Sequence, residues 1–115
     1  MKLQYFNLSE FDCKETGENN MYRDFLRRLD KLRPRCGFSF IVTSGYRSPN
    51  HSAEKKKVAP GQHSKGVAAD IYITDASLRF KIVKEALAMG FTGIGIAKTF
   101  IHVDDRDGTP VIWTY

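Results

Sequence analysis

Residues 61–74 read GQHSKGVAADIYIT, a polar loop that passes directly into an apolar, β-rich run. The loop contains His63 and Gly66, and the run contains Asp70. The run predicts a strand over residues 67–74. Because glycine adopts turn conformations easily, Gly66 allows a histidine from the loop and an aspartate from the strand to converge. This stretch therefore predicts a strand with polar side chains gathered near its start.

The residues before this stretch predict a helix, a strand and a mixed segment. Asn20 can cap the helix, and Pro34 is expected to end it. A strand is expected over residues 38–43, and a short helix plus a loop over residues 50–66. The apolar positions that recur at helical spacing are Tyr22, Phe25, Leu26, Leu29 and Leu32.

The residues after it predict a second amphipathic helix and three short strands. Gly90 is expected to stop the helix as a left-handed residue, and Asp107-Gly108 favours a hairpin turn between the last two strands. The order of elements predicts an α+β fold, one domain over residues 1–115, with a mainly antiparallel sheet and two main helices. The apolar helix positions are Leu78, Ile82, Ala86 and Met89, and the strands are expected at residues 93–97, 100–104 and 111–114.

Composition agrees with one ordinary globular domain. A chain of 115 residues is too short for two independent cores, and its 42% apolar and 27% charged residues argue against disorder. Eighteen basic against 13 acidic residues leave a net charge of +5. This surplus indicates an anionic partner, which a nucleic acid, a membrane surface or a cell-wall polymer would equally provide.

Targeting signals and cysteine chemistry are not evident in the sequence. The first residues lack the apolar run of a signal peptide, and no stretch has the length of a membrane span, so we expect synthesis in the cytoplasm without membrane insertion. Cys13 and Cys36 do not form a C-x-x-C pair. We therefore expect two free or buried thiols.

A third candidate for the same site is His102, which lies in FIHVDDR at residues 100–106. Imidazole nitrogen and carboxylate oxygen both suit zinc, and two histidines with one carboxylate leave a fourth position for water. Taken from the residues alone, this spacing is a weak signal, because any polar loop can contain it.

Three motifs in order give the sequence a family resemblance. SGYRSP at residues 44–49, HSKGVAAD at residues 63–70 and IHVD at residues 101–104 resemble the zinc D-alanyl-D-alanine carboxypeptidase family. That family includes vancomycin-resistance dipeptidases, phage L-alanyl-D-glutamate endolysins and the Hedgehog signalling domain. Three ordered motifs are more specific than any single one, and the flanking segments look like those of short phage-encoded members.

The resemblance implies both an activity and the residues that carry it. His63, Asp70 and His102 would bind one zinc ion, and Arg47 would bind substrate or stabilise the transition state. The implied activity is that of a zinc metallopeptidase, with a zinc-bound water as nucleophile, acting on peptidoglycan stem peptides. The cleavage would be of the D-Ala-D-Ala carboxypeptidase or the L-Ala-D-Glu endopeptidase type. Zinc and a guanidinium suit these roles because both stabilise developing negative charge.

The expected general base is where the sequence departs from the family pattern. Relatives carry an acidic residue three positions before the last ligand or a histidine two before it, and these positions are Thr99 and Phe100 here. Asp104 follows His102 by two residues, so both side chains lie on one face of the predicted strand. Asp104 is therefore our candidate either for the general base or for a partner that orients a ligand. Asp105 should point away.

The loop before His63 departs from the family pattern as well. Relatives have a Gly-Gly pair and a serine there, and Pro60-Gly61 resembles a variant of phage-type members. Tyr46 and His51 are candidate substrate contacts, with core packing and a solvated loop position as their respective alternatives. Trp113 could also line a substrate groove, with core packing again as the alternative.

Two other functions compete with the peptidase hypothesis. A non-catalytic zinc-binding module of the same fold is favoured by the missing acid at Thr99. A nucleic-acid-binding protein is favoured only by the charge, because no helix-turn-helix, zinc-finger or RNP pattern accompanies it. We therefore expect a monomeric phage lytic enzyme whose partner is peptidoglycan rather than nucleic acid, and which reaches the cell wall after release.

Overall fold

The structure is a computed structural model that describes residues 2–57 and 61–115. These residues form the predicted α+β fold, a compact domain with one five-stranded sheet and two main helices. No helix in these two ranges is long and apolar enough to cross a bilayer. In chain order the elements are a 3₁₀ turn (Leu8–Phe11), α1 (Arg23–Cys36), β1 (Val42–Ser44), α2 (Ser52–Lys55), β2 (Ala68–Tyr72), α3 (Ala76–Ala88), β3 (Gly93–Ile96), β4 (Phe100–Asp104) and β5 (Val111–Thr114).

The strands lie in the order β1-β2-β4-β3-β5, and every pairing is antiparallel except that of β3 with β5. The predicted hairpin between the last two strands is therefore wrong. A turn is present, since Gly108 has a φ of 91°. However, β2 and β3 already occupy both edges of β4, so β5 pairs in parallel with the outer edge of β3 instead.

The two faces of the sheet differ in chemistry because side chains alternate along each strand. One face is apolar, with Ile71, Ile101 and Val103 fully buried in the core. α3 packs against both α1 and β4, and buried side chains from both helices join this face in one hydrophobic cluster. The opposite face of the same two central strands carries Asp70, His102 and Asp104.

The helix boundaries correct the sequence prediction in two places. α1 begins after Tyr22, not Asn20, and it continues through Pro34 to Cys36. Pro34 lacks a backbone N–H to donate within the helix, but only two helical residues follow it, and the left-handed Gly37 closes the last turn by donating to the Arg33 carbonyl.

The second helix and the strand limits are closer to expectation. Gly90 is left-handed with a φ of 84°, as predicted. The capping residue at the other end is Asp75, whose carboxylate accepts a hydrogen bond from the backbone N–H of Leu78 at 2.9 Å. The first strand is shorter than predicted, and Cys13 and Cys36 are both free and buried.

Candidate metal centre

The three predicted zinc ligands come from two central strands and the loop that precedes one of them. Asp70 on β2 lies directly opposite His102 on β4, so their side chains leave the same face of the sheet. His63 approaches from the loop, where Gly66 turns the chain with a φ of 77°. A Cβ at Gly66 would overlap the carbonyl of Asn20, so this close approach requires glycine.

The side chains of these three residues converge. One possible ligand atom from each lies within 4.8 Å of the others, and all three residues are buried. The Asp70 Oδ1 atom lies 2.9 Å from His102 Nδ1 and 3.4 Å from His63 Nε2. The two imidazole rings are 5.1 Å apart in an edge-to-face arrangement.

Hydrogen bonds on the far side of each imidazole identify the nitrogen that faces the centre. His63 Nδ1 lies 2.8 Å from the carbonyl oxygen of Gly45, which can only accept, so Nδ1 donates and Nε2 is left as a ligand. His102 Nε2 lies 2.6 Å from the Asp104 Oδ2 atom, which leaves Nδ1 for a metal. Such outer partners fix the tautomer and the orientation of a ligating histidine.

The charge of the Asp70 carboxylate also suits a cation. Burial raises the pKa of Asp70, but hydrogen bonds from His102 and His63 outweigh this effect and hold the pKa at about 2, so the carboxylate is ionised at neutral pH. Burial lowers the pKa of His102, but its contacts with Asp104 and Asp70 raise it overall, so a bound metal ion would displace a proton from this imidazole. Two imidazoles and one carboxylate are a zinc ligand set, and these residues therefore fit that ion.

Asp104 is fully buried, and both of its carboxylate oxygens have partners. Oδ2 contacts His102 Nε2 and accepts from Arg106 Nη2 at 2.7 Å. Oδ1 accepts from the Arg106 backbone N–H and Nε, each at 3.0 Å. The carboxylate thus lies behind His102, opposite the ligating nitrogen and away from solvent. Of the two roles predicted for Asp104, this position favours orienting His102 over acting as a general base.

Two glycines on β3 leave space for the side chains of Asp104 and Trp113. Gly93 pairs with Asp104, and Gly95 pairs with His102, so both lie on the site face. A Cβ at Gly93 would overlap the Asp104 carboxylate, and a Cβ at Gly95 would lie 2.8 Å from the Trp113 ring. Glycines two residues apart in a β-rich run are a signal of this close packing that our sequence analysis did not use.

Aromatic side chains on β5 and directly after it lie beside His102 at the edge of the sheet. The Trp113 ring lies 5.1 Å from the His102 ring, and the Arg106 guanidinium lies 4.8 Å above the Trp113 ring. Tyr115 follows on the same face, 69% exposed, with its ring 5.1 Å from that of Phe100. That Trp113 lines a substrate groove stays a prediction, and Tyr115 was not identified from the sequence.

Arg47 lies beside the His63 loop. Its backbone N–H donates to the His63 carbonyl at 3.3 Å, and its own carbonyl lies 2.6 Å from Ser64 Oγ. The guanidinium Nη1 lies 3.4 Å from the Glu54 carboxylate, and the side chain is 26% exposed. The structure therefore places Arg47 beside the loop that carries His63, the first of the predicted zinc ligands. Glu54 was not identified from the sequence.

The other predicted site residues lie elsewhere. Tyr46 is 5% exposed and packs in the hydrophobic core, which agrees with the core-packing alternative, while its contact with substrate stays a prediction. His51 caps α2, where its Nδ1 accepts from the Ala53 N–H at 3.0 Å. Asp105 points away as expected, towards Arg28 on α1 at 2.9 Å. Pro60 lies outside the described residues.

Comparison with known protein families agrees with this centre. The family model described as Peptidase M15 matches residues 2–104, a span that contains His63, Asp70 and His102. β5, with Trp113, lies beyond the matched span. No curated protein sequence matches the chain.

Proposed function

This chain belongs to the peptidase M15 family, and from that premise we propose that it is a zinc metallopeptidase which cleaves peptide bonds in bacterial peptidoglycan stem peptides. Family membership implies the metallopeptidase activity. The zinc, the substrate and the biological setting are our proposal. The observation that carries it is the convergence of His63 Nε2, Asp70 Oδ1 and His102 Nδ1 in one buried cluster.

The residues of the cluster would hold the ion in a defined way. Bound by His63, Asp70 and His102, zinc acts as a Lewis acid that activates water and polarises the scissile carbonyl. Gly45 and Asp104 keep the ligating nitrogens of the two histidines directed at the centre by accepting from their other nitrogens. The low pKa of Asp70 keeps its carboxylate ionised, so that it needs to release no proton when a metal binds.

Arg47 supplies the second half of the proposed chemistry. Its guanidinium is a cation beside the loop that bears His63, and it is partly exposed. A planar guanidinium pairs well with a carboxylate of the substrate or with an oxyanion that develops during peptide hydrolysis. Stem peptides that end in D-Ala-D-Ala or contain D-Glu carry such carboxylates, which supports them as the substrate class.

The proposed setting is a phage lytic enzyme that acts on the cell wall after release. The net charge of +5 supports it, because a positive surface attracts an anionic wall polymer. We infer a monomer that works without nucleic acid and without inserting into a membrane.

A second candidate function is a zinc-binding module of the same fold that does not catalyse. One observation favours it: Thr99 and Phe100 replace the acid or the histidine that relatives carry at these two positions, and Asp104 is fully buried behind His102. The Phe100 ring instead packs against that of Tyr115. The two functions differ only in turnover, so an assay of hydrolysis separates them.

The test is hydrolysis of purified peptidoglycan and of short D-Ala-D-Ala and L-Ala-D-Glu peptides, with and without a chelator. We expect cleavage that the chelator abolishes and that zinc restores. His63→Ala and Asp70→Ala should remove it, while the control Asp24→Ala, which alters an exposed carboxylate on α1, should retain it. One zinc per chain without cleavage of any wall peptide would contradict the peptidase and favour the non-catalytic module.

A further inference from the structure

The segment between β1 and β2 contains one buried carboxylate that the proposed chemistry does not use. Glu54 lies on the short helix α2, and its side chain is 2% exposed. Acidic side chains are almost never buried to this degree unless other groups compensate their charge. The groups that contact Glu54 therefore indicate what its buried charge does in the structure.

Glu54 receives hydrogen bonds from four points along this segment. Oε2 accepts from Lys57 Nζ at 2.6 Å and from Arg47 Nη1 at 3.4 Å. Oε1 accepts from the Gly61 backbone N–H at 3.2 Å and lies 2.8 Å from Ser64 Oγ. Burial raises the pKa of this carboxyl, but the bonds from Lys57, Ser64 and Gly61 outweigh it and bring the pKa to about 2. Glu54 is thus ionised throughout the neutral range.

Two of these partners connect Glu54 to the metal centre. Ser64 follows His63 directly in the chain, and its hydroxyl also lies 2.6 Å from the Arg47 carbonyl. The Arg47 backbone N–H in turn donates to the His63 carbonyl at 3.3 Å. The side chain of one buried residue therefore contacts both the guanidinium proposed to bind substrate and the residue next to the first metal ligand.

We propose that Glu54 is a positioning residue, which holds the guanidinium of Arg47 at a fixed place relative to the loop of His63. This inference rests on the proposed function, because it concerns the same site. Glu54 is not a catalytic residue, since its oxygens are occupied and it is screened from solvent. Its effect is preorganisation: the arginine loses side-chain freedom in the folded protein instead of when substrate binds.

The first experiment compares Glu54→Gln with Glu85→Gln as a matched control. Glu85 also pairs with an arginine, Arg35 at 3.0 Å, but it does so on α3 outside the site. With zinc bound, Glu54→Gln should lower kcat/KM on a stem peptide by roughly 10- to 100-fold, as expected for a misplaced substrate-binding group. Glu85→Gln should keep kcat/KM near the wild-type value. An unchanged kcat/KM in Glu54→Gln would overturn the proposal.

A double-mutant cycle distinguishes positioning from a merely structural role. If Glu54 acts through Arg47, then Glu54→Gln should change kcat/KM by less than about twofold once Arg47→Ala is present, because the arginine it positions is gone. The same fold loss in both backgrounds would show that Glu54 acts independently of Arg47 and would overturn the inference.

A measurement that needs no activity keeps this test separate from the proposed function. In the metal-free protein, ¹⁵N relaxation of the Arg47 Nε–H group should report a rigid side chain in the wild type and a mobile one in Glu54→Gln. An equally mobile Arg47 in both proteins would contradict the proposal even if the enzyme hydrolyses peptides. A rigid Arg47 together with no hydrolysis would refute the peptidase and leave the positioning role intact. If Glu54→Gln does not fold, Glu54→Asp supplies the same comparison with a shortened side chain.

Discussion

The metal centre has a strand-borne half and a loop-borne half, and the two are held in place by different forces. Asp70 and His102 stand opposite each other on paired central strands, above a fully buried apolar face. His63 lies on a segment whose position depends on polar contacts, chiefly those of Gly45 and Glu54. The strand half is therefore rigid through packing, and the loop half is rigid only while its hydrogen bonds persist.

This difference separates the roles of the two halves. A ladder of backbone hydrogen bonds fixes side-chain positions without any one side chain being essential to it. A loop that depends on individual polar contacts, among them those of the Glu54 carboxylate, can be altered by a single substitution or by protonation. We therefore expect changes in the strand half to affect metal affinity and packing, and changes in the loop half to affect substrate use and the response to acid.

The largest effect in this comparison is expected at Asp104, behind the strand ligand His102. Asp104→Asn keeps the shape of the side chain but loses the charge that orients and strengthens His102, so zinc affinity should fall by roughly 10- to 100-fold. Competition with a zinc-sensitive chelator measures this. Wild-type zinc affinity combined with lost turnover would instead identify Asp104 as the general base.

A smaller effect should appear when one methyl group is added to each half. Gly93→Ala places a Cβ against the buried Asp104 carboxylate, and such overpacking costs roughly 1–3 kcal/mol of unfolding free energy. Gly61→Ala in the loop meets the end of the Lys57 side chain at 3.0 Å and makes an ordinary contact with Glu54 Oε1 at 3.7 Å, so it should change stability by less than about 0.5 kcal/mol. Urea unfolding of the metal-free proteins measures both. Equal losses would show that the two halves are packed alike.

The last effect in this comparison is the acid response of the loop half. The pKa of Glu54 is about 2 in the folded protein, below its ordinary value of 4.5, so the unfolded chain binds its proton first as the pH falls. Its contribution to stability should be complete above about pH 4.5 and should disappear as the pH falls towards 2. The stability difference between the wild type and Glu54→Gln should shrink over this interval. A difference that stays constant down to pH 2 would contradict the role of the ionised carboxylate.

The sequence predicted the strand half better than the loop half, for a physical reason. Asp70 and His102 lie in β-rich runs whose period of two assigns each side chain to a face, and the motifs around them resemble known ligands. The contacts of Glu54 follow no period, because they depend on how the chain folds back between β1 and β2. No local pattern relates Arg47 to Ser64 or to Lys57.

The fold, too, was predicted correctly only where local sequence patterns determine it. The antiparallel core and both main helices follow from local patterns of apolar residues. The parallel pairing of β5 does not, because it depends on which strands already occupy the edges of β4. Tyr46 was similarly undecided, since an aromatic residue after a strand suits either a groove or the core, and only the packing distinguishes them.

We propose that His63, Asp70 and His102 hold one catalytic zinc ion. Anomalous scattering at the zinc edge from crystals of the zinc-loaded protein would locate that ion. We expect a single peak at about 2.0–2.2 Å from His63 Nε2, Asp70 Oδ1 and His102 Nδ1. No peak between these atoms, or a zinc ion bound elsewhere on the chain, would contradict it.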